Sequence, residues 1–336
     1  MPSAPQPEQS QQRPQSVIPQ MHESFAEIVD LYDAFILDQF GVLHDGVTAL
    51  PGAVACVEFL AHEHGKQLII LSNTSAPSQK ALEKLPKLGF DGSYFVGAVT
   101  SGEEASKYIK STLGSDPEKA AKAVFWTWDI YKPDNARLTA PPQAFLDQCG
   151  NVEIAKTIDE ANFLLLHGSE IWYTGGKTPE EATFLDFVES GNMDTVEPLL
   201  RACVNRGLPM VCANPDVVVQ TPCGGTAYMP GGLATRYAEM GGTCRIFGKP
   251  DVEHFEACLR ALDVPRSKVA HVGDSLHHDI AGANAANIPN VLVTSGIHRS
   301  GLGTNFGVLP SDDKVTDLCQ REGNIFPTHV VSAFRI

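Results

Sequence analysis

A chain of 336 residues, 43% of them hydrophobic and with a formal charge of −15, is long enough for two domains and carries an ordinary soluble core. The acidic balance, with no Lys/Arg cluster beyond isolated pairs, excludes a binder of nucleic-acid backbones or anionic membranes. Positive charge for an anionic small molecule must therefore be local, from a metal, a lysine or a helix N-terminus.

Residues 1–20, rich in Gln, Pro and Ser, are expected to form a disordered tail, because they hold too little apolar surface to order themselves. They lack the apolar run of a signal peptide, and no later segment reaches the length of a membrane span. The eight cysteines are scattered without metal-ligand spacing and read as packed, reduced thiols. The cytoplasm is the expected location.

Phe25, Ile28, Val29 and Tyr32 recur at helical spacing and predict an amphipathic helix from His22. The apolar run after it ends abruptly at Asp38, and the glycine-bearing loop Gln39-Phe-Gly-Val-Leu-His-Asp-Gly46 follows at once. A strand therefore delivers a carboxylate to its own C-terminal end, where open parallel α/β sheets bind ligands. Pro51 and Gly65 bracket a helix carrying Val54, Val57 and Leu60. A second buried strand, Gln67 to Leu71, ends in Ser72, Asn73, Thr74 and Ser75. Strand, helix and parallel strand form a βαβ unit that sets Ser72 beside Asp38.

From Gly97 to Gly242 the pattern loosens. Strand-like runs (123–128, 163–167, 209–213) and helical stretches (178–188, 196–205) suffice for an inserted α/β domain. The aromatic run Phe125-Trp-Thr-Trp128 reads as a strand of that domain's core. The first domain resumes at Ile246, with Pro250 at the first position of a helix bearing Phe255, Cys258, Leu259 and Leu262, which places Lys249 at its N-terminus. The strand Val269 to Val272 then ends in Gly273-Asp274-Ser-Leu-His-His-Asp279. A helix from Ile280 and a strand from Asn290 to Thr294 are expected to close the sheet. Residues 301–336 look loop-rich and carry no functional reading.

Asp38, Ser72, Lys249, Asp274 and Asp279 thus meet at neighbouring strand ends. Two aspartates across a sheet edge repel unless a cation lies between them, and an all-oxygen donor set suits Mg2+. Ser72, the amides after it and Lys249 are fit to hold a phosphoryl group, leaving Asp38 free to attack phosphorus.

In this order the motifs resemble the haloacid dehalogenase (HAD) superfamily: Asp38-Gln-Phe-Gly-Val-Leu, Leu71-Ser-Asn, Gly248-Lys-Pro, and Gly273-Asp274 through Asp279. The large insert, with Ala213-Asn-Pro-Asp216 and Met229-Pro-Gly-Gly-Leu-Ala234, is similar to the type IIA branch of p-nitrophenylphosphatase-like, pyridoxal-phosphatase and phosphoglycolate-phosphatase enzymes. The resemblance implies a Rossmann-like core (residues 21–96 and 243–336), mostly parallel, with a type C2 cap (97–242). It also implies an Mg2+-dependent phosphoric monoester hydrolase acting on a small phosphorylated metabolite. Asp38 would be nucleophile and metal ligand, Asp274, Asp279 and the Phe40 carbonyl would complete the metal set, and Ser72 and Lys249 would bind the phosphoryl group. Asn73, Thr74, Asn214 and Asp216 are candidate substrate contacts. A homodimer is an open expectation.

One position departs from the pattern. Phosphatases of the family carry a second aspartate two residues after the nucleophile, to protonate the leaving oxygen, and here that residue is Phe40. Slow turnover of alkyl phosphates is the expectation, since acid-base assistance contributes roughly 10²–10⁴-fold. Two alternatives follow: a phosphometabolite-binding protein that has lost efficient turnover, and a metal-independent dehalogenase. His44 is read as a surface or cap-facing side chain, and His277 and His278 as facing solvent.

Overall fold

The structure, a computed structural model, describes residues 18–130, 140–220 and 225–336. Most of the expected tail, Cys223 and the end of the candidate substrate stretch 214–222 lie outside the described residues.

Strand Ala34–Leu37 is buried at every position, which an apolar tetrapeptide achieves only when both faces of its sheet are covered. Phe35 and Leu37, with Leu68 and Ile70 of the next strand, face the helix Ala53–Glu58. Ala34 and Ile36, with Ile69 and Leu71, face Phe255, Cys258 and Leu262 on and just beyond the helix Val252–Ala261. Each large side chain so buried contributes about 1.5–3 kcal/mol. The sheet runs Gln20–His22, His329–Val331, Asn290–Val293, Val269–Gly273, Ala34–Leu37, Gln67–Ser72, Phe95–Thr100, parallel throughout. Because Ala34–Leu37 lies between Val269–Gly273 and Gln67–Ser72, their carboxyl ends bring Asp38, Asp274 and Ser72 together.

A second sheet belongs to the insert, in the order Cys244–Ile246, Met210–Cys212, Phe163–Leu166, Ala121–Thr127, Ile171–Tyr173, Thr183–Phe184, with Val152–Ile154 also paired to Ala121–Thr127. Its core includes the fully buried Phe125 and Trp126. Both junctions fall later than residues 97 and 243. Phe95–Thr100 pairs with Gln67–Ser72 in the core sheet, and Cys244–Ile246 pairs with Met210–Cys212 in the insert.

Several local expectations are corrected. The helix from His22 is instead a strand, Gln20–His22, followed by two 3-10 turns, Phe25–Glu27 and Val29–Leu31. A capping box between Ser24 and Glu27 starts the first turn, and the four periodic residues are buried as predicted. The stretch 178–188 is a 3-10 turn, Pro179–Glu181, followed by the short strand Thr183–Phe184 that pairs with Ile171–Trp172. Asp251, not Lys249-Pro250, caps helix Val252–Ala261 through its carboxylate. The C-terminal portion supplies the helix Asp312–Arg321 and the strand His329–Val331, so the sheet extends past Asn290–Val293. Among the described residues no helix is long and apolar enough to cross a membrane.

Candidate active site

Asp38, Asp274 and Asp279 each present a carboxylate oxygen, and these atoms lie within 4.8 Å of one another. All three side chains are buried. Lys249 is drawn among them: its Nζ donates to Asp38 Oδ1 at 2.6 Å and to Asp279 Oδ1 at 2.7 Å. Asp279 is well satisfied, accepting also from His271 Nε2 at 2.8 Å and, on Oδ2, from the Ser275 amide at 3.0 Å. Asp274 accepts the Ile297 N–H at 2.8 Å. Two glycines make room for that carboxylate. A Cβ at Gly41 or at Gly296 would lie 2.0 Å from Asp274 Oδ2, and Gly41 also has φ +84°.

Burial pushes the Asp38 carboxyl up to about 7; the Lys249 ammonium opposes this and the Asp279 charge adds to it. Burial, then the charges of Asp38 and Asp279, raise Asp274 well above the carboxylate range. For Asp279 burial is outweighed by Lys249 and His271, which hold it below that range. Lys249 is likewise held above its ordinary value by Asp279 and Asp38 against its burial. Among the described residues three carboxylates face one ammonium, which leaves the site short of positive charge, and their hard oxygen donors suit a divalent cation such as Mg2+. The donor set therefore fits the metal: Asp38, Asp274 and Asp279 would hold it, with Lys249 bonded to Asp38 and Asp279 beside it.

Ser72 and Asn73 stand at the adjacent strand end, both buried. Asn73 is used twice: its Oδ1 accepts the Lys249 amide at 2.7 Å and its Nδ2 donates to Asp216 Oδ1 at 2.7 Å. Asp216, from the insert, is also 3.3 Å from His278 Nδ1. His278 thus reaches across the seam, whereas His277 pairs with Glu322 at the surface. Thr74 Oγ1 accepts the Ala76 N–H, and Asn214 Oδ1 accepts the Asp216 N–H, so both side chains shape their own loops.

His44 is not at the surface. Its ring is buried, Nδ1 accepts the Gly46 N–H at 3.0 Å, and burial drives its pKa down to about 4. It supports the loop that presents Phe40, whose ring lies over Gly46 and edge-on to His44. Sequence reasoning missed His271, Gly296, Ile297 and the seam bond from Trp128 Nε1 to Ser75 Oγ, 3.0 Å. His271 had a signal, a polar side chain inside a buried strand next to Gly273-Asp274. Ile297 acts through its backbone and had none.

A parallel α/β core, acidic groups on adjacent strand ends and an inserted α/β cap together define a hydrolase of the HAD type. Residues 35–128 match the family described as haloacid dehalogenase-like hydrolase, and residues 246–319 that described as HAD-hydrolase-like. The 4-nitrophenylphosphatase of Schizosaccharomyces pombe is 26% identical over 288 residues, covering 82% of this chain and 88% of that one. A haloacid dehalogenase-like hydrolase from Brucella suis superposes with a TM-score of 0.67 at 23% identity, covering 93% of this chain and 99% of the other. A glycerol phosphate phosphatase from Mycobacterium tuberculosis, solved with magnesium, superposes at 0.59 with 18% identity, covering 92% and 77%. The chain belongs to the haloacid dehalogenase superfamily, in its type IIA branch.

Proposed function

We propose that the chain is a magnesium-dependent phosphoric monoester hydrolase that cleaves a small phosphorylated metabolite through an aspartyl-phosphate on Asp38. The observation that carries this reading is the meeting of Asp38 with Asp274, Asp279 and Lys249 in one buried cluster. Bound magnesium would supply positive charge for the phosphoryl oxygens. The chain's own residues do the rest. Asp38, ionised, attacks phosphorus, and the bond to the leaving oxygen breaks. Lys249 neutralises charge on the transferred group, and Ser72 with the amides after it orients that group. Water then attacks the acyl-phosphate, releasing inorganic phosphate and restoring the carboxylate. Asn73 and Asp216, bonded to each other between core and insert, with Thr74 and Asn214 beside them, are the proposed contacts to the rest of the substrate. Phe40 moves no proton, which supports slow turnover of esters with basic leaving groups.

Phosphate release from p-nitrophenyl phosphate, with and without magnesium, tests the reading. Metal-dependent turnover that disappears in Asp38→Asn is the expected result. Full turnover in Asp38→Asn would defeat it, and so would halide release from a 2-haloacid without metal.

A further inference from the structure

His271 stands inside the strand Val269–Gly273, on the face it shares with Val269 and Gly273, since alternate residues of a strand point the same way. That face belongs to an apolar layer, where Val269 packs with Ile36, Ile69, Phe255 and Leu262. An imidazole buried there loses its water and needs a partner to offset the loss. His271 is fully buried, and its partner is Asp279 Oδ1, 2.8 Å from Nε2. Nδ1 closes no hydrogen bond of ordinary geometry among the described residues. A carboxylate only accepts, so Nε2 carries the proton and donates it to Asp279.

The surroundings fix this contact from several sides. Gly273 leaves the space into which the Asp279 side chain folds, and a Cβ there would run into both its Cβ and its carboxylate. Phe255 stands edge-on to the His271 ring, centroids 5.1 Å apart and planes at 79°, and fills the place that a Cβ on Gly282 would need. The Ser275 amide holds the other oxygen of Asp279, Oδ2, at 3.0 Å. Lys249, by contrast, reaches Asp279 from the end of a flexible four-carbon stem. Its ammonium has three hydrogens; two go to Asp38 Oδ1 and Asp279 Oδ1, which leaves one for a phosphoryl oxygen. When substrate draws that ammonium away, the rigid donors His271 and Ser275 still keep the carboxylate from swinging.

We infer that His271 is a positioning residue: through its Nε2–H it fixes the Asp279 carboxylate over Gly273, and so fixes both the cation's third carboxylate and the anchor of Lys249. The inference rests on the metal-dependent phosphatase reading and adds to it a support buried inside the strand, three residues before Asp274.

Three replacements on the full chain separate reach from volume. His271→Met removes the donor at similar size, His271→Gln sets an amide N–H at the reach of Nε2, and His271→Asn stops short of it. Calorimetric titration with magnesium chloride needs no turnover. Affinity should weaken by roughly 10- to 100-fold in the Met and Asn variants and return close to the wild type in Gln. The kcat for p-nitrophenyl phosphate should follow the same order, with KM changing less. Should the Met variant fail to fold, the Asn and Gln variants decide, because they differ in reach and not in chemistry. Wild-type magnesium affinity and kcat in the Met and Asn variants, or a Gln variant no better than Asn, would overturn the inference and leave the phosphatase reading intact. A wild type that binds magnesium yet frees no phosphate from any ester would defeat the phosphatase reading, with the titrations still deciding on His271. A wild type that binds no magnesium would bring down both.

Discussion

Asn73 Nδ2 donates to Asp216 Oδ1 at 2.7 Å, and with the Trp128–Ser75 bond it joins the 72–75 loop of the core to the cap. The same carboxamide holds the Lys249 backbone through its oxygen. Asn73→Ala should therefore disturb both the seam and the lysine. The expected outcome is a 10- to 100-fold loss of kcat/KM, with a stability cost of about 1–3 kcal/mol for the groups left unpaired. Steady-state kinetics beside thermal unfolding would check it, and an unchanged kcat/KM would show that the seam bond is idle.

Gly296 leaves the Asp274 carboxylate its space, since a Cβ there would approach within 2.0 Å of Oδ2. Gly296→Ala must push that carboxylate aside. Calorimetric titration with magnesium should show affinity weakened by about 10- to 100-fold, the scale seen when the support of a metal ligand is disturbed.

Among the described residues Lys249 is the one ammonium bonded to the buried carboxylates Asp38 and Asp279. Lys249→Met removes it and strands two charges, which costs about 3–5 kcal/mol when a buried pair is broken. The variant should melt below the wild type and gain more from added magnesium than the wild type does. A similar melting temperature without metal would contradict this.

His329 lies buried between the Tyr32 hydroxyl at 2.8 Å and His22 Nε2 at 3.0 Å. Burial first, and then the neighbouring His22, lower its pKa to about 4. The fold thus prefers the neutral ring. Its contribution is complete above the ordinary histidine pKa of about 6.5 and is lost as the pH falls toward 4, by up to about 3 kcal/mol. Unfolding measured from pH 7 to 4.5 should show this decline, and His329→Gln should make it shallower, with the buried His44 and His167 keeping their own share.

The site was largely legible because its residues sit at strand ends, where an apolar run stops at a polar residue. Asp38, Ser72 and Asp274 follow from that punctuation alone. What stayed hidden depends on contacts between distant segments. The Phe25 periodicity reported burial correctly, but helix type failed because the capped turn runs straight into Tyr32 and the following strand. The strand His329–Val331 was unreadable as a sheet member: three residues give too short a pattern, and its partners are chosen by topology. His44 looked like a surface residue because nothing local tells a loop histidine that it will be roofed by its own loop.

The strand bearing Asp38 finds one neighbour, Gln67–Ser72, early in the chain, but the other, Val269–Gly273, only after the whole cap has been traversed. A nascent chain therefore carries Asp38 on a half-built sheet with a bare edge, a template for wrong pairings until the distal segment is made. Such long-range closure sets a slow pace for folding, and the carboxylate cluster is assembled last.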